Sequence, residues 1–116
     1  MKNIKDITVK ESISILEVLE IIDKSSKQIA IVVDENNKIL GTISDGDIRR
    51  ALLKNISLKE SVKNIYFKNP TVASINDSKK EIINICKVKK IHQIPIVDSE
   101  GSLVGLEILD ELIIKE

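Results

Sequence analysis

The pattern of apolar positions in the first half of the chain changes its period, and each period predicts a different element. An i, i+3, i+4, i+7 stripe of aliphatic residues from Ile15 to Ile22 predicts a helix that buries one face and ends near Ser25. Ser14 and Glu17 have the spacing of a capping box, in which the serine hydroxyl accepts from the third helical N–H and the acid reaches back. The helix is therefore predicted to begin directly after Ser14.

A strand-like pattern follows this helix. Residues 28–33 are almost uniformly apolar, which predicts a strand covered on both faces, and residues 39–43 form the second arm of a hairpin after the polar turn 34–38. Residues 8–9 form a short extended piece before the helix, and a further helix runs from Asp45 to about Asn55. The predicted order of elements is thus β-α-β-β-α.

The same pattern recurs at a fixed offset of 64 residues. Residues 34–41 align with residues 98–105, and both segments read as strand, polar turn, short apolar strand and glycine. The apolar helix positions Val18, Leu19 and Ile22 align with Ile82, Ile83 and Cys86, and the pair Asp47-Ile48 aligns with Glu111-Leu112. We interpret this gap-free register as an internal duplication of a unit of about 55 residues.

The duplication predicts the domain organisation and the fold class. Repeat 1 covers residues 1–55, a connector covers 56–68, and repeat 2 covers 69–116. The elements predicted in repeat 2 are a strand at 71–73, a helix at 78–90, strands at 93–97 and 103–108, and a last helix to the C-terminus. Neither repeat buries its apolar faces alone, so we expect a small α/β fold whose two halves pack against each other.

Composition and charge exclude several classes of partner. The 116 residues are 42% apolar and 31% charged, as in a soluble globular domain. Eighteen basic residues balance eighteen acidic ones and aromatic residues make up 2%, so neither charge nor stacking favours a nucleic acid or an anionic membrane. No apolar run approaches the roughly 18 residues of a membrane span, and the first residues lack a signal-peptide core. We expect a cytoplasmic protein.

Residues that carry catalysis or bind metals are sparse. Cys86 is the only cysteine and falls in a helical pattern, so no intrachain disulfide forms and a core position is expected. His92 is the only histidine, and no second ligand stands at metal-binding spacing. No Ser/His/Asp or Cys/His set, no GxGxxG motif and no Gly-Lys-Ser/Thr loop occurs. We therefore expect neither a catalytic site nor a metal site in this chain.

One polar segment, GTISDGDIRR at residues 41–50, stands where a buried strand is predicted to run into a helix. Ser44 and Asp47 fit the N-cap and N3 positions of that helix, and both are favourable at the positive end of its dipole. The same positions suit a ligand, because the free N–H groups of a helix N-terminus bind phosphate and an aspartate accepts from ribose hydroxyls. The motif alone favours capping, although a cap can also line a binding site. Arg50 is a weaker candidate for a phosphate ligand.

The duplicated unit, with IVVDENNKILGTISDGDI in the first copy and KKIHQIPIVDSEGSLVG in the second, resembles the tandem CBS domain pair, or Bateman module. The resemblance covers nearly the whole chain, and SDGDIRRAL also resembles the pairs that precede bacterial sugar-1-phosphate nucleotidyltransferase domains. It implies two β-α-β-β-α repeats packed about a pseudo-two-fold axis, a homodimer, and a regulatory role in which AMP, ADP or ATP tunes an attached sugar-phosphate enzyme. The alternative is a structural homodimerisation module with no ligand.

The resemblance also implies which residues bind the nucleotide. Ser44 and Asp47 would contact the phosphate and the ribose, and a facing wall would come from the other repeat at the entry to its second strand. The wall comprises Lys90 and His92 for the phosphate and Ile91 and Ile94 beside the base, and Pro95 and Thr71 complete the predicted set. His92 equally fits a polar residue at a helix end, where an imidazolium is favoured by the dipole.

The second copy of the motif departs from the first. Ile108 stands where the first copy has Ser44, and Glu111 stands where it has Asp47. The hydroxyl is lost and the acid is one methylene longer, so a second nucleotide site is not expected. Asp110 remains as the expected cap of the last helix.

Overall fold

The computed structural model describes residues 1–114, which form an α/β fold with two three-stranded sheets and four α-helices. These residues divide into two compact units. The first unit is Lys5–Pro70, and the second unit combines Met1–Ile4 with the chain from Thr71 onward. The predicted fold class is confirmed, because each unit contains its elements in the order β-α-β-β-α.

The first unit is built around a sheet in which the strand order is β1-β2-β3. Its elements are β1 (Thr8–Val9), α1 (Ile15–Ser25), β2 (Ile29–Val33), β3 (Ile39–Ser44) and α2 (Asp45–Leu53). β1 runs parallel to β2, and β2 runs antiparallel to β3. All five residues of β2 are buried, as expected of a strand with both faces covered.

The second unit repeats this arrangement in the strand order β4-β5-β6. Its elements are β4 (Ala73–Ser74), α3 (Lys79–Lys89), β5 (Gln93–Val97), β6 (Leu103–Ile108) and α4 (Leu109–Ile114). The hairpin strands have the predicted bounds, whereas the short strand predicted at 71–73 lies slightly later because Ala73 and Ser74 are the residues that pair with β5. The last two residues of the predicted C-terminal helix lie outside the described range.

The two hairpins share one strand register at the offset of 64 residues. Ile29 pairs with Ser44 in the first hairpin, and Gln93 pairs with Ile108 in the second. The register shift after the fourth residue of β2 recurs after the fourth residue of β5. A slip of one residue would turn the apolar face of a strand to solvent, so the shared register and shared irregularity show that the duplication is structural.

Serine residues begin α1, α2 and α3. Ser14 Oγ accepts from the Glu17 N–H at 3.1 Å, so the predicted N-cap of α1 is confirmed. The Glu17 carboxylate in turn accepts from the Ser14 hydroxyl at 3.0 Å. Ser78 and Glu81 form a full capping box at α3. Hydrogen bonds from the backbone and side chain of Ser78 hold the pKa of Glu81 below its usual value.

The start of α4 differs from the other three. The N–H of Leu109 donates to the carbonyl of His92 at 2.8 Å, and Ile108 occupies the position that serine has elsewhere. Asp110 lies inside the first turn, one residue after the helix begins. The predicted capping role of Asp110 is therefore wrong, although an acid in the first turn remains favourable for the helix dipole.

The segment that follows α2 is part of the first core. Val62 is fully buried in a short 3-10 helix, and Tyr66 is 8% exposed. The Tyr66 ring lies against Gly41, where an added Cβ would collide with the ring and with the Phe67 carbonyl. Phe67 also forms a β-bridge with Thr42 on β3. These contacts cover one edge of the first sheet.

The second unit covers the equivalent edge with the beginning of the chain. The N–H of Lys2 donates to the carbonyl of Leu106 on β6 at 2.8 Å, and the Met1 side chain lies against Gly105. Met1 is 63% exposed, in contrast to Tyr66 in the first unit. A cavity of about 240 Å³ opens beside Met1, so the second core is covered less completely than the first.

Candidate functional site

Ser44 and Asp47 come together where β3 ends and α2 begins. Ser44 has an extended backbone (φ −118°, ψ 171°) and is the N-cap, and its Oγ accepts from the Asp47 N–H at 3.3 Å. Asp47 completes the pair, because its Oδ2 accepts from the Ser44 N–H at 2.9 Å. The capping interpretation of these two residues is confirmed as a full capping box.

The Asp47 carboxylate has little acceptor capacity left for a ligand. Its Oδ2 accepts from both the N–H and the hydroxyl of Ser44, at 2.9 and 3.1 Å. Its Oδ1 accepts from Arg50 Nη2 at 2.8 Å. An ionised carboxylate offers about four lone-pair positions, so the open position is on Oδ1. A ligand hydroxyl that binds Asp47 therefore does so beside Arg50.

Arg50 reaches Asp47 over the first turn of α2. Its guanidinium lies above Gly46, where an added Cβ would stand 3.2 Å from Nη1. The Arg50 side chain is 63% exposed and the Asp47 side chain 18% exposed. Arg50, a candidate phosphate ligand from the sequence, is thus paired with Asp47. Sequence reasoning missed this ion pair, although an acid and an arginine at i, i+3 on a helix are its signal.

Lys90, Ile91 and His92 connect α3 to β5 in the second unit. Lys90 is the C-cap of α3 in the left-handed conformation (φ 58°). The side chains of Lys90 and His92 are exposed, and Ile91 is partly buried. The carbonyl of His92 accepts the N–H of Leu109, so its backbone helps to begin α4 while its imidazole stays at the surface. Two exposed groups that can carry positive charge therefore stand at the C-terminal end of a helix.

Three of the predicted site residues are less exposed to solvent than Lys90 and His92: Ile94, Pro95 and Thr71. Ile94 has no exposed surface and packs in the second core with Cys86, and Pro95 is also fully buried. Thr71 is partly buried in the segment before β4. Ile94, which was predicted to lie beside the base, and Pro95 therefore expose no side-chain surface to a ligand in this structure.

The second copy of the motif makes no capping pair. Ile108 supplies no hydroxyl, and Glu111 forms an ion pair with Lys2, with 3.1 Å between Glu111 Oε2 and Lys2 Nζ. Asp47 and Glu111 therefore occupy equivalent sequence positions but contact different partners. The capping box and the Asp47–Arg50 ion pair at the start of α2 therefore have no counterpart in the second copy of the motif.

Other ligand chemistries receive no support from the described residues. Within residues 1–114, no group of three or more His, Cys, Asp or Glu side chains is placed to hold a metal ion. Cys86 is buried in the second core as predicted, and burial raises the pKa of its thiol. None of the helices in the described part of the chain has the length and apolar character needed to cross a membrane.

The fold and the comparison with known families agree on the class of protein. Two β-α-β-β-α units with one shared strand register define a tandem α/β repeat module. The family model of the CBS domain matches residues 2–54 and 62–106. The chain belongs to the CBS domain family and contains a tandem pair of these domains. A CBS pair is a regulatory module and is not itself catalytic.

Solved structures with this fold include complexes with adenosine compounds. A CBS domain pair in complex with 5′-methylthioadenosine and S-adenosyl-L-methionine is 28% identical, with a TM-score of 0.79 and coverage of 98% of each chain. A CBS domain protein from Pyrobaculum aerophilum complexed with AMP has a TM-score of 0.84 and covers 99% of this chain and 92% of that one. Its 18% identity shows the likeness of fold alone.

The curated relatives are longer proteins. The "Probable arabinose 5-phosphate isomerase" of Haemophilus influenzae is 30% identical over 101 residues, which are 85% of this chain and 30% of that protein. The inosine-5′-monophosphate dehydrogenase of Aquifex aeolicus is 30% identical over 111 residues, which are 95% of this chain and 22% of that protein. The chain thus spans less than a third of the length of these two relatives.

Proposed function

We propose that this CBS pair is a regulatory module that binds an adenine nucleotide (AMP, ADP or ATP) and tunes an attached enzyme. The observation that carries the proposal is the likeness to the pair solved with 5′-methylthioadenosine and S-adenosyl-L-methionine, at 28% identity over 98% of both chains. Both of those ligands contain an adenosine group, so adenosine is the part of the ligand that the comparison supports.

The start of α2 supplies the polar groups of the proposed site. Asp47 Oδ1 retains an open acceptor position for a ribose hydroxyl, because it accepts only one hydrogen bond, from Arg50, while both bonds from Ser44 go to Oδ2. Ser44 caps a helix of nine residues, whose N-terminus favours a phosphate through its dipole and its free N–H groups. The Ser44 hydroxyl donates to Asp47 in this structure, so donation to a phosphate requires that it change partner.

The second unit is proposed to supply the remaining contacts. Lys90 and His92 are exposed and are assigned to the phosphate, and Ile91 is assigned to the base. Three residues complete the proposed set from buried or partly buried positions: Ile94, Pro95 and Thr71.

Isothermal titration calorimetry with AMP, ADP, ATP and GTP tests the proposal. We expect one binding event per chain with adenine nucleotides, because only the first copy of the motif keeps the hydroxyl and the shorter acid. Asp47→Ala should abolish the heat, and Glu111→Ala is the matched control that should retain it. The proposal is wrong if the wild-type protein gives no heat with any adenine nucleotide at millimolar concentration.

The regulated enzyme is proposed to act on a sugar phosphate. The relative named for arabinose 5-phosphate isomerase supports this substrate class, and the likeness of SDGDIRRAL to pairs beside sugar-1-phosphate nucleotidyltransferases suggests the specific enzyme. The intact enzyme that contains this pair should be assayed for sugar-phosphate isomerisation and for pyrophosphate release, with and without each nucleotide. An activity that no adenine nucleotide changes would contradict the regulatory role.

A structural homodimerisation module is the second candidate function. Exposed aliphatic residues on all four α-helices of the described chain favour it: Leu16, Leu53, Val88 and Ile114 are 45%, 78%, 68% and 80% exposed. We propose a homodimer with or without a ligand, and light scattering at micromolar concentration should give twice the chain mass. A strict monomer at high concentration would exclude this candidate and leave the nucleotide proposal standing.

A further inference from the structure

The two units differ in how completely they fill the space between their helices and their sheet. In the first unit, Val62 has no exposed surface and belongs to one core cluster with aliphatic residues on α1, β2 and α2: Val18, Val32 and Ile48. The counterparts of these three residues at the offset of 64 line the cavity of about 240 Å³ in the second unit: Ile82, Ile96 and Leu112. The cavity therefore stands where an aliphatic side chain fills the first core.

The segment that carries Val62 is fixed to the first turn of α1 through its backbone. The N–H of Ile15 donates to the carbonyl of Glu60 at 2.8 Å, and the N–H of Leu16 donates to the carbonyl of Leu58 at 3.0 Å. These bonds satisfy two of the N–H groups that the N-terminus of a helix leaves without an intrahelical partner. The first unit thus shows how an extended segment docks at this place.

The first turn of α3 presents the same two N–H groups without these acceptors. Lys79 and Lys80 are the counterparts of Ile15 and Leu16, and neither backbone N–H has an acceptor within residues 1–114. Both lysine side chains are exposed, and neither forms an ion pair with a described residue. Two hydrogen-bond donors and two positive charges therefore stand at the edge of the cavity.

The lining of the cavity defines the chemistry of a partner. Two carboxylates in the lining have partners of their own: Asp77 Oδ2 accepts from the Ser74 N–H at 2.8 Å, and Glu107 Oε1 lies 3.4 Å from the amino group of Met1. Lys79 is the lining charge that is left unpaired. The apolar part of the lining is aliphatic: Ile75, Ile82, Ile96 and Leu112. An aliphatic side chain fits this lining, and complementarity with the lysines favours an acidic residue beside it.

We propose that this cavity is the docking site for a segment of the enzyme that the CBS pair regulates. The segment carries an acidic residue two positions before an aliphatic one, as Glu60 and Val62 do in the first unit. Its aliphatic side chain fills the cavity, its carbonyls accept from the N–H groups of Lys79 and Lys80, and its acid pairs with one of these lysines.

The identity of the partner rests on the proposed regulatory function and does not depend on which nucleotide binds. A regulatory module changes an enzyme only through a free energy of coupling between the two, which a contact supplies. The chain spans 30% and 22% of the two curated relatives described above, so most of each relative lies outside its CBS pair. The regulated enzyme is therefore the source of the segment to which the proposal commits.

A synthetic peptide with the sequence of residues 56–67 is the probe, because it carries Glu60 and Val62 and its own place in the first unit is already filled. In a methyl NMR titration we expect it to shift the signals of Ile82, Ile96 and Leu112 and to leave those of Val18, Val32 and Ile48 unchanged. A dissociation constant of about a millimolar or tighter is sufficient, since a tethered segment acts at millimolar effective concentration. The same peptide with Val62→Asp should not bind.

Two protein variants test whether the peptide binds in the cavity. Ile75 lines the cavity and is 51% exposed, so Ile75→Lys should fold and should weaken peptide binding about tenfold through the loss of apolar contact. Asn76→Lys is the matched control, because the neighbouring Asn76 is exposed, does not line the cavity and gains the same charge.

Three results would overturn the docking site. The first is a wild-type protein whose methyl signals do not shift at millimolar peptide, and the second is equal weakening by Ile75→Lys and Asn76→Lys. The third is a shift of the same methyl signals with protein concentration alone, which would assign the cavity to a second copy of this chain.

The intact enzyme tests the identity of the partner. Ile75→Lys should remove the effect of an adenine nucleotide on activity and leave the calorimetric affinity for that nucleotide unchanged, whereas Asn76→Lys should keep both. Regulation that persists in Ile75→Lys would overturn the inference and leave the proposed function standing. If the wild-type protein binds no adenine nucleotide, the proposed function fails, and the peptide titration still decides whether the cavity docks a segment.

Discussion

Tyr66 donates its phenolic O–H to Glu11 Oε2 at 2.7 Å, a contact between residues 55 positions apart in the first unit. This hydrogen bond, together with burial and the charge of Glu11, raises the pKa of Tyr66 to about 12. Lys68 Nζ lies 3.8 Å from the centre of the Tyr66 ring on its face. Tyr66 thus joins the segment after α2 to the segment before α1, beside the backbone hydrogen bond that the Val62 N–H donates to the Ile13 carbonyl at 2.9 Å.

Tyr66 should therefore ionise near pH 12 in the folded protein. It is the only tyrosine, and the chain has no tryptophan, so phenolate absorbance reports it directly. A raised pKa means that the folded state holds the proton more tightly than the unfolded state. The stabilisation is complete below about pH 10 and is lost as the pH rises towards 12.

Urea unfolding between pH 8 and pH 12 measures the same linkage. Wild type should lose more free energy of unfolding over this range than Tyr66→Phe, which has no proton to release. Glu11→Gln should move the phenolate midpoint back towards 10, because the main cause of the shift is the Glu11 hydrogen bond. A wild-type midpoint near 10 would mean that the contact does not persist in solution.

Gly41→Ala should destabilise the first unit by about 1–3 kcal/mol, the usual cost of forcing extra atoms into a packed region. The added Cβ meets the Phe67 carbonyl and the Tyr66 ring, and backbone cannot move aside as a flexible side chain can. Gly46→Ala is the matched control, because its Cβ meets only the far end of the Arg50 side chain. Urea denaturation should separate the two, and equal costs would contradict the packing described at Gly41.

Ser78→Ala should cost about 1 kcal/mol through loss of the N-cap of α3, whereas Ser78→Thr should be nearly neutral. The lowered pKa of Glu81 adds a pH dependence. Its contribution is present above the ordinary value of 4.5 and is lost as the pH falls through the lower folded value. Denaturation series from pH 7 to pH 3 should show a smaller acid dependence in Ser78→Ala. An unchanged acid dependence would contradict the capping box.

Local patterns predicted the elements well, and long-range pairings explain what they missed. The helix Ile15–Ser25 and the hairpin strands follow from periodicity and turn residues, which act within a few positions of sequence. The pairing of Lys2 with Leu106 joins residues about a hundred positions apart, and no local signal marks it. The burial of Val62 and Tyr66 likewise depends on the sheet they cover.

In the candidate site, too, local patterns predicted some residues, and long-range contacts determine the others. Ser44 and Asp47 were found because a capping box has a fixed spacing. Asp110 was misassigned because the start of α4 depends on the carbonyl of His92, which accepts the N–H of Leu109 from another part of the fold.

A nucleotide bound at Ser44 and Asp47 should stabilise the fold by mass action. At a nucleotide concentration ~100 times the dissociation constant, the gain in free energy of unfolding is ~2.7 kcal/mol. For a domain of this size each kcal/mol raises the melting midpoint by ~4–8 °C, so the midpoint should rise by roughly 10 °C or more. Calorimetric melting with AMP, ADP, ATP and GTP measures this shift.

Asp47→Ala should remove most of that shift, because it deletes the Oδ1 position on which the ribose depends. The free protein should lose only about 0.5–1 kcal/mol, the value of an acid at a helix start. Glu111→Ala should keep the shift, since Glu111 pairs with Lys2 and its copy of the motif has no hydroxyl. If wild type melts at one temperature with all four nucleotides at millimolar concentration, Ser44 and Asp47 act as a helix cap, and their hydrogen bonds to each other account for the whole motif.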